Sequence, residues 1–359
     1  MVLEPKPGRK VIAVVLLAAA FLYSPPIPAV PAEERIQLEI DPSEARAVLA
    51  ILAARRDGHS VSPMAWRRLF ESEPYVRLKK REAALHREFT DDDFRKFVTS
   101  DDLARRAADL ENTLNRWEKS DLTAAARRVL AYLPSNAVIR AKVYPVIKPQ
   151  TNSFVFEVQK DPAIFLYLDP KVTAPKFENT VAHELHHIGY ASVRPGEGAS
   201  DANTPSGVRA AVEWMSAFGE GFAMLAAAGS PDTHPHATSN REERERWNRD
   251  MANVGRDVQA LEGFFLDVIE ERLKAKEAID EKAYSFFGIQ GPWYTVGYRM
   301  AVVIEKRDGR ATLIECMSNP RMLLATYNRD ASALNSQRGE HLPLWSKELL
   351  KKIGAASAE

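Results

Sequence analysis

Residues 179–189 read Asn-Thr-Val-Ala-His-Glu-Leu-His-His-Ile-Gly, which places two histidines four residues apart with a glutamate between them. On a helix, His183 and His187 project from one face, one turn apart, so one zinc ion can bind both imidazoles. Glu184 points about 100° around the helix. It can reach a water on the metal, without ligating the metal, and take its proton. His186 lies on another face, either behind the ligands or at the surface.

A third protein ligand is needed, because a catalytic zinc ion keeps three protein ligands and one open position. Glu220 is the preferred candidate, since it lies in an apolar, Ala-rich stretch where a buried carboxylate needs a cation. Gly219, Gly221 and Ala223 remove bulk around it, so we expect this helix to approach the metal-bearing helix closely. Glu213, seven residues earlier, is the alternative ligand or a supporting residue.

A hydrogen-bond donor for the developing negative charge would complete a hydrolytic site. Tyr294 and Tyr298 lie four residues apart, and therefore on one helical face, just after Gly291-Pro292. Tyr294 is the preferred candidate and joins Glu184 as a predicted catalytic residue. The alternative is that these tyrosines are aromatic packing residues of the core.

The hydrophobic pattern predicts an α+β protein that is predominantly α-helical with a small antiparallel sheet. Residues 36–133 show the apolar periodicity and start signals of helices. Three short β-type runs follow between residues 137 and 168 and predict a sheet of about three strands. Helices are then predicted at 176–190, 206–228, 240–276, 293–306 and 312–317.

The N-terminus has the pattern of a secretory signal peptide over residues 1–32. A basic head precedes an apolar stretch at 11–23, and a proline-rich segment with small residues follows. This apolar stretch is shorter than the roughly 20 residues that span a bilayer. We therefore predict export to the periplasm or beyond, with no membrane span after cleavage; an uncleaved signal anchor is the alternative. The remaining regions are helical (33–135) and catalytic (136–359).

Composition excludes several classes of function. The 359 residues contain 49 Lys and Arg against 49 Asp and Glu, so no net positive charge favours a nucleic-acid partner. Basic clusters such as Lys79-Lys80-Arg81 alternate with acidic ones, which predicts a solvated helix face. A single cysteine, Cys316, rules out an intrachain disulfide and a multi-thiolate zinc site.

Three segments resemble the gluzincin type of zinc metallopeptidase, and more narrowly a largely uncharacterised bacterial family of zinc-dependent peptidases. They are HELHHIG at 183–189, GEGFAMLAAAG at 219–229 and YTVGYRMA at 294–301. The resemblance covers residues 180–330. The residues after the second motif histidine do not match the longer three-histidine pattern of metzincins.

This resemblance implies a zincin-like core, a Zn²⁺ cofactor and a peptide or protein substrate. It makes Glu184 the general base and implies three zinc ligands, His183, His187 and Glu220. By analogy, the predicted strand at 164–168 lines the cleft and pairs with extended substrate. Two alternatives stay open: a non-catalytic, zinc-containing envelope protein that binds partners, and a zinc hydrolase for a non-peptide amide.

Overall fold

The computed structural model of the protein describes residues 31–193 and 204–355. The predicted signal peptide lies outside the described residues, apart from its last two positions, and stays a prediction. Within the described ranges the chain is mostly helical with a small sheet, as an α+β protein should be. Among these residues, no helix combines the length and apolar character that a bilayer crossing requires.

Within the described ranges, all four strands precede the helix that carries the H-E-x-x-H motif. The regular elements after that helix are all helical. The strands are β1 (Ile36–Ile40), β2 (Ile139–Val146), β3 (Phe154–Phe156) and β4 (Ala163–Tyr167). The helices between β1 and β2 are α1 (Ser43–Arg56), α2 (Pro63–Phe70), α3 (Glu73–Ala84), α4 (Asp91–Val98), α5 (Asp101–Trp117) and α6 (Leu122–Leu130). The helices after the last strand are α7 (Ala174–Ala191), α8 (Ser206–Trp214), α9 (Gly219–Ala228), α10 (Arg241–Ala252), α11 (Val254–Ile269), α12 (Lys276–Ser285), α13 (Pro292–Met317), α14 (Pro320–Arg338) and α15 (Lys347–Lys352).

The sheet is mixed, so the prediction of an antiparallel sheet is wrong. Its strand order is β1-β2-β4-β3, and only β3 and β4 pair antiparallel. Residues 36–40, predicted as helix, form β1; their sequence, IQLEI, alternates apolar and polar residues as strands do. Six helices separate β1 from β2, and such a long crossover permits parallel pairing. Because β4 lies between β2 and β3, it cannot pair with substrate along residues 163–165.

Helix α7 begins and lies as the sequence predicts. The Thr173 hydroxyl accepts a hydrogen bond from the Lys176 N–H at 3.3 Å, which caps the helix, and Pro175 occupies the first turn. Phe177 stacks on Trp117 of α5 with ring centroids 4.3 Å apart. These contacts fix the helix against the N-terminal helices two turns before the H-E-x-x-H motif.

Several predicted helices are shorter than expected. The predicted helix at 206–228 is divided into α8, a 3₁₀ turn at Met215–Phe218 and α9. The long helix predicted at 240–276 divides into α10 and α11 at Asn253, whose side chain donates to the Arg249 carbonyl at 2.7 Å and competes with helical bonding. The helices predicted at 293–306 and 312–317 both form, and Gly309, with a φ of +87°, separates them within α13.

The buried apolar residues form two main clusters, and the motif helix α7 lies where they meet. The first joins α1–α6 to the sheet and to the apolar face of α7. The second joins the helices from α8 to α15, including α9. The facing sides of α7 and α9 therefore meet where the two clusters adjoin. The division of the chain at residue 135 stays a prediction.

Glu44 of α1 is fully buried beside the sheet and makes stability depend on pH. Its Oε2 accepts the Ile147 N–H at 2.9 Å. Burial raises the pKa of Glu44 to about 8, against the opposing effects of this hydrogen bond and of Lys148. Between its ordinary pKa and about 8, the unfolded chain loses a proton that the folded chain keeps. The contribution of Glu44 to the free energy of unfolding is therefore expected to fall as pH rises, by up to about 1.4 kcal/mol per pH unit.

We expect Glu44→Gln to remove this dependence, because glutamine can still accept the Ile147 N–H but does not ionise. Urea unfolding at pH 5, 6.5 and 8 should show the variant gaining stability over the wild type as pH rises. Equal slopes for both proteins would contradict the prediction. Because both proteins share all other titrating groups, the difference between their stabilities isolates Glu44. Burial lowers the pKa of the neighbouring Lys148 to about 8, so Lys148 titrates mainly above the pH range of 5 to 8.

Candidate metal centre

Two helices bring the three predicted ligands together. His183 and His187 project from α7, and Glu220 projects from the first turn of α9. The Nε2 atoms of the two histidines lie 3.2 Å apart. Glu220 Oε2 lies 3.1 Å from His183 Nε2 and 3.3 Å from His187 Nε2. Among the described residues, these three alone form a cluster of potential metal ligands.

The spacing of these three atoms fits a zinc ion. Zinc binds imidazole nitrogen and carboxylate oxygen at about 2.0–2.2 Å, so neighbouring ligands of a tetrahedral site lie about 3.3 Å apart. The three measured distances lie within about 0.2 Å of this value. Two imidazoles and a carboxylate are also a donor set that zinc favours, and three protein ligands leave a fourth position open.

Electrostatics make this cluster favourable for positive charge. Burial raises the pKa of Glu220, but the His187 charge and hydrogen bonds from both imidazoles outweigh it and hold that pKa far below its usual value. Burial likewise lowers the pKa of His187, and the Glu220 carboxylate outweighs it and raises that pKa. Glu220 is ionised but only 19% exposed, so its carboxylate has lost most of its contact with water. A cation bound here would compensate for that loss.

The two predicted catalytic residues lie beside the ligands. The Tyr294 ring stacks on the His183 ring, with centroids 6.1 Å apart and planes inclined by 17°. Burial, the charge of Glu220 and a hydrogen bond to it raise the pKa of Tyr294, so its hydroxyl stays protonated. The charge of Glu184, which is half-buried, acts on both His187 and Tyr294.

The alternatives that the sequence offered lie elsewhere. Tyr298 packs its ring on Trp247, and its hydroxyl faces the Thr233 carbonyl at 3.5 Å, so it behaves as a core aromatic. Glu213 is exposed and lines a separate cavity near Lys276. His186 is 1% exposed, which excludes a surface position. Burial, followed by the charges of His187 and His183, lowers its pKa, so it is neutral.

Gly221 makes a close helix contact, but the partner differs from the prediction. A Cβ atom on Gly221 would lie 1.9 Å from the Tyr298 backbone nitrogen of α13. A Cβ on Gly297 would lie 2.4 Å from the Phe218 carbonyl. Gly219 has open space around its Cβ position. Gly221 and Gly297 therefore seat α9 against α13, which carries Tyr294. Helix α9 also packs closely on α7, as the sequence predicts, with Glu220 Oε2 3.1 Å from His183 Nε2.

A cavity of about 270 Å³ opens beside His187 and Glu220, two of the predicted ligands. Its wall is largely apolar and comes from several elements; among the lining residues are Met215, Phe218, Phe222, Met317 and Leu323. Val158 and Gln159, from the turn between β3 and β4, also line it. Sequence reasoning missed these residues, because no local pattern connects α13, α14 and the β3–β4 turn with the motif helix.

A zinc ion held by an H-E-x-x-H helix and a glutamate from a second helix defines the class of site found in zinc hydrolases. The chain belongs to the DUF5700 family, described as putative zinc dependent peptidase, whose sequence profile matches residues 65–336. This confirms the resemblance to a family of zinc-dependent peptidases and the predicted cofactor, zinc. No curated protein and no solved structure matches the chain significantly.

Proposed function

We propose that the protein is an exported, gluzincin-type zinc peptidase with a zincin-like catalytic region. The observation that carries this proposal is the set of three donor atoms, 3.1–3.3 Å apart, with Glu184 one residue after the first ligand. The family description supports peptide hydrolysis as the reaction. Export is supported by the sequence pattern of residues 1–32.

His183, His187 and Glu220 would hold zinc, which would supply Lewis acidity and lower the pKa of water when bound. Glu184 takes the proton of the attacking water as general base and then returns it to the leaving amine nitrogen as general acid. Tyr294 keeps its proton and donates a hydrogen bond to the negative oxygen that develops on the scissile carbonyl. His186 stays neutral and packs behind His187, with ring centroids 6.1 Å apart.

The cavity beside His187 and Glu220 supports a peptide substrate. Its apolar wall suits an uncharged side chain next to the scissile bond, since burying a charged group there would need a partner. The balanced charge of the chain gives no support for nucleic acid as substrate.

Zinc retention and hydrolysis test this proposal together. We expect the purified protein to contain one zinc ion per chain and to cleave casein or a peptide library. A chelator should abolish cleavage, and added zinc should restore it. Glu220→Ala should weaken zinc binding by more than about 100-fold, because it removes a ligand rather than a residue that supports one.

Glu213→Ala is the matched control, because Glu213 is the alternative ligand suggested by the sequence and is exposed. It should leave zinc affinity unchanged, and the opposite pattern would contradict the ligand assignment. Stoichiometric zinc without cleavage of any peptide library would favour the non-catalytic binding protein. Cleavage of acetylated cell-wall fragments alone would favour a hydrolase of non-peptide amides.

A further inference from the structure

We propose that one face of α3 positions the β3–β4 hairpin as a wall of the substrate cavity, with Arg77 as the main positioning residue. This inference rests on the proposed function and adds a role for a helix that carries no ligand. The turn of this hairpin, residues 157–162, reaches the cavity, and Val158 and Gln159 line it.

Arg77 clamps both ends of the hairpin turn. Its guanidinium donates to Glu157 Oε2 at 2.9 Å and to Asp161 Oδ2 at 2.8 Å. It also donates to the Asp161 carbonyl and, at 3.2 Å, to the Tyr144 hydroxyl of β2. Arg77 is only 7% exposed and the Glu157 side chain only 19%, so the bond between them is shielded from water and stronger than a surface ion pair. The Asp161 side chain is 60% exposed, so its bond to Arg77 is weaker.

Two further residues of α3 reach the same hairpin, one turn after Arg77. Lys80 Nζ donates to Glu157 Oε1 at 2.5 Å. The Arg81 guanidinium lies over the Phe154 ring of β3, 3.5 Å from its centroid. Residues three and four apart share a helix face, so these three residues form one surface that contacts the hairpin. The prediction of a solvated basic cluster is therefore wrong for Arg81, whereas Lys79 and Lys80 stay exposed.

The backbone of this turn includes an unfavourable conformation, so contacts from outside the turn are needed to stabilise it. Glu157 has a φ of +55°, a left-handed conformation that a residue with a side chain adopts at some energetic cost. The Lys160 and Asp161 N–H groups both donate to the Glu157 carbonyl, at 3.0 and 3.1 Å. Arg77 and Lys80 bind the Glu157 carboxylate in this conformation, which fixes where the next two residues meet the cavity.

Two zinc-binding probes distinguish a displaced hairpin from a damaged metal site. Acetohydroxamate can ligate zinc but is too small to fill the cavity, whereas a leucine-containing dipeptide hydroxamate also places a side chain beside the metal. We expect Arg77→Gln to weaken binding of the dipeptide probe by at least about tenfold, because a wall displaced by an ångström loses its contacts. Acetohydroxamate affinity and zinc content should not change.

Lys79→Gln is the control on the same helix, because Lys79 pairs with Asp91 and not with the hairpin. It should leave both affinities unchanged. Arg77→Lys should give an intermediate loss, since lysine cannot bind both carboxylates in the planar geometry of arginine. If Arg77→Gln does not fold, Lys80→Gln and Glu157→Gln replace it, since both side chains lie nearer the surface.

Variants that unfold at a lower temperature but bind the two probes in the wild-type ratio would overturn the inference and leave a purely structural role. A wild-type protein that contains zinc yet binds neither hydroxamate would instead contradict the proposed function, and the inference would fall with it. A selective loss of dipeptide binding in the hairpin-contacting variants, and not in Lys79→Gln, would support both.

Discussion

Glu184→Gln is expected to reduce peptide hydrolysis by about 10²–10⁴-fold while one zinc ion stays bound. Glutamine has nearly the shape of glutamate, so α7 and the three ligands keep their places. It cannot accept a proton, however, and general-base catalysis contributes a rate factor of this size. Initial rates on a fluorogenic peptide, together with the zinc content of the same sample, provide the measurement.

Glu178→Gln on the same helix serves as the control, because it removes the same charge without lying in the motif. It should keep the wild-type rate. Full activity in a zinc-loaded Glu184→Gln protein would rule out Glu184 as the general base. A loss of zinc along with activity would instead indicate that Glu184 helps to hold the metal.

Gly221→Ala is expected to lower the free energy of unfolding by about 3 kcal/mol or more. The added methyl would lie 1.9 Å from the Tyr298 nitrogen and 2.3 Å from the Gly297 carbonyl carbon, and backbone atoms cannot rotate away. Because Glu220 precedes Gly221, separating α9 from α13 should also displace a ligand and weaken zinc binding. Urea unfolding with and without chelator measures both effects.

Gly219→Ala is the matched control on the other side of Glu220. Its Cβ position has no atom within 4 Å, so we expect little change or a gain of about 0.5 kcal/mol, since alanine favours helix. Equal losses in the two variants would mean that glycine flexibility, rather than close packing, matters in this segment.

The motif helix and its ligands could be predicted from the sequence because their signals are local. His183 and His187 need only helical spacing to share a face, and Glu220 is conspicuous as a charge among apolar residues. Tyr294 was a candidate from chemistry alone, and the structure places its ring on His183. The sequence favours Glu220 over Glu213 by its apolar surroundings, and the structure agrees, since Glu220 lies with the two histidines whereas Glu213 is exposed.

The rest depends on contacts between distant segments, which no local pattern encodes. Parallel pairing of β1 with β2 follows from the path of six intervening helices. The partner of Gly221 is Gly297, far along the chain, and small size alone does not identify it. The break at Asn253 shows that apolar periodicity can continue across a helix end.

The pairing of β1 with β2 also constrains the order of folding. Ile36 has its partner in Ile139, about a hundred residues further along the chain, so β1 has no strand to pair with until that distant segment folds beside it. Contacts of such long range slow folding, because the intervening chain must be ordered before the pairing is gained. We therefore expect closure of this sheet to be slower than formation of the individual helices. The cluster of His183, His187 and Glu220 needs both α7 and α9 in place, so we expect it to form only in the folded protein.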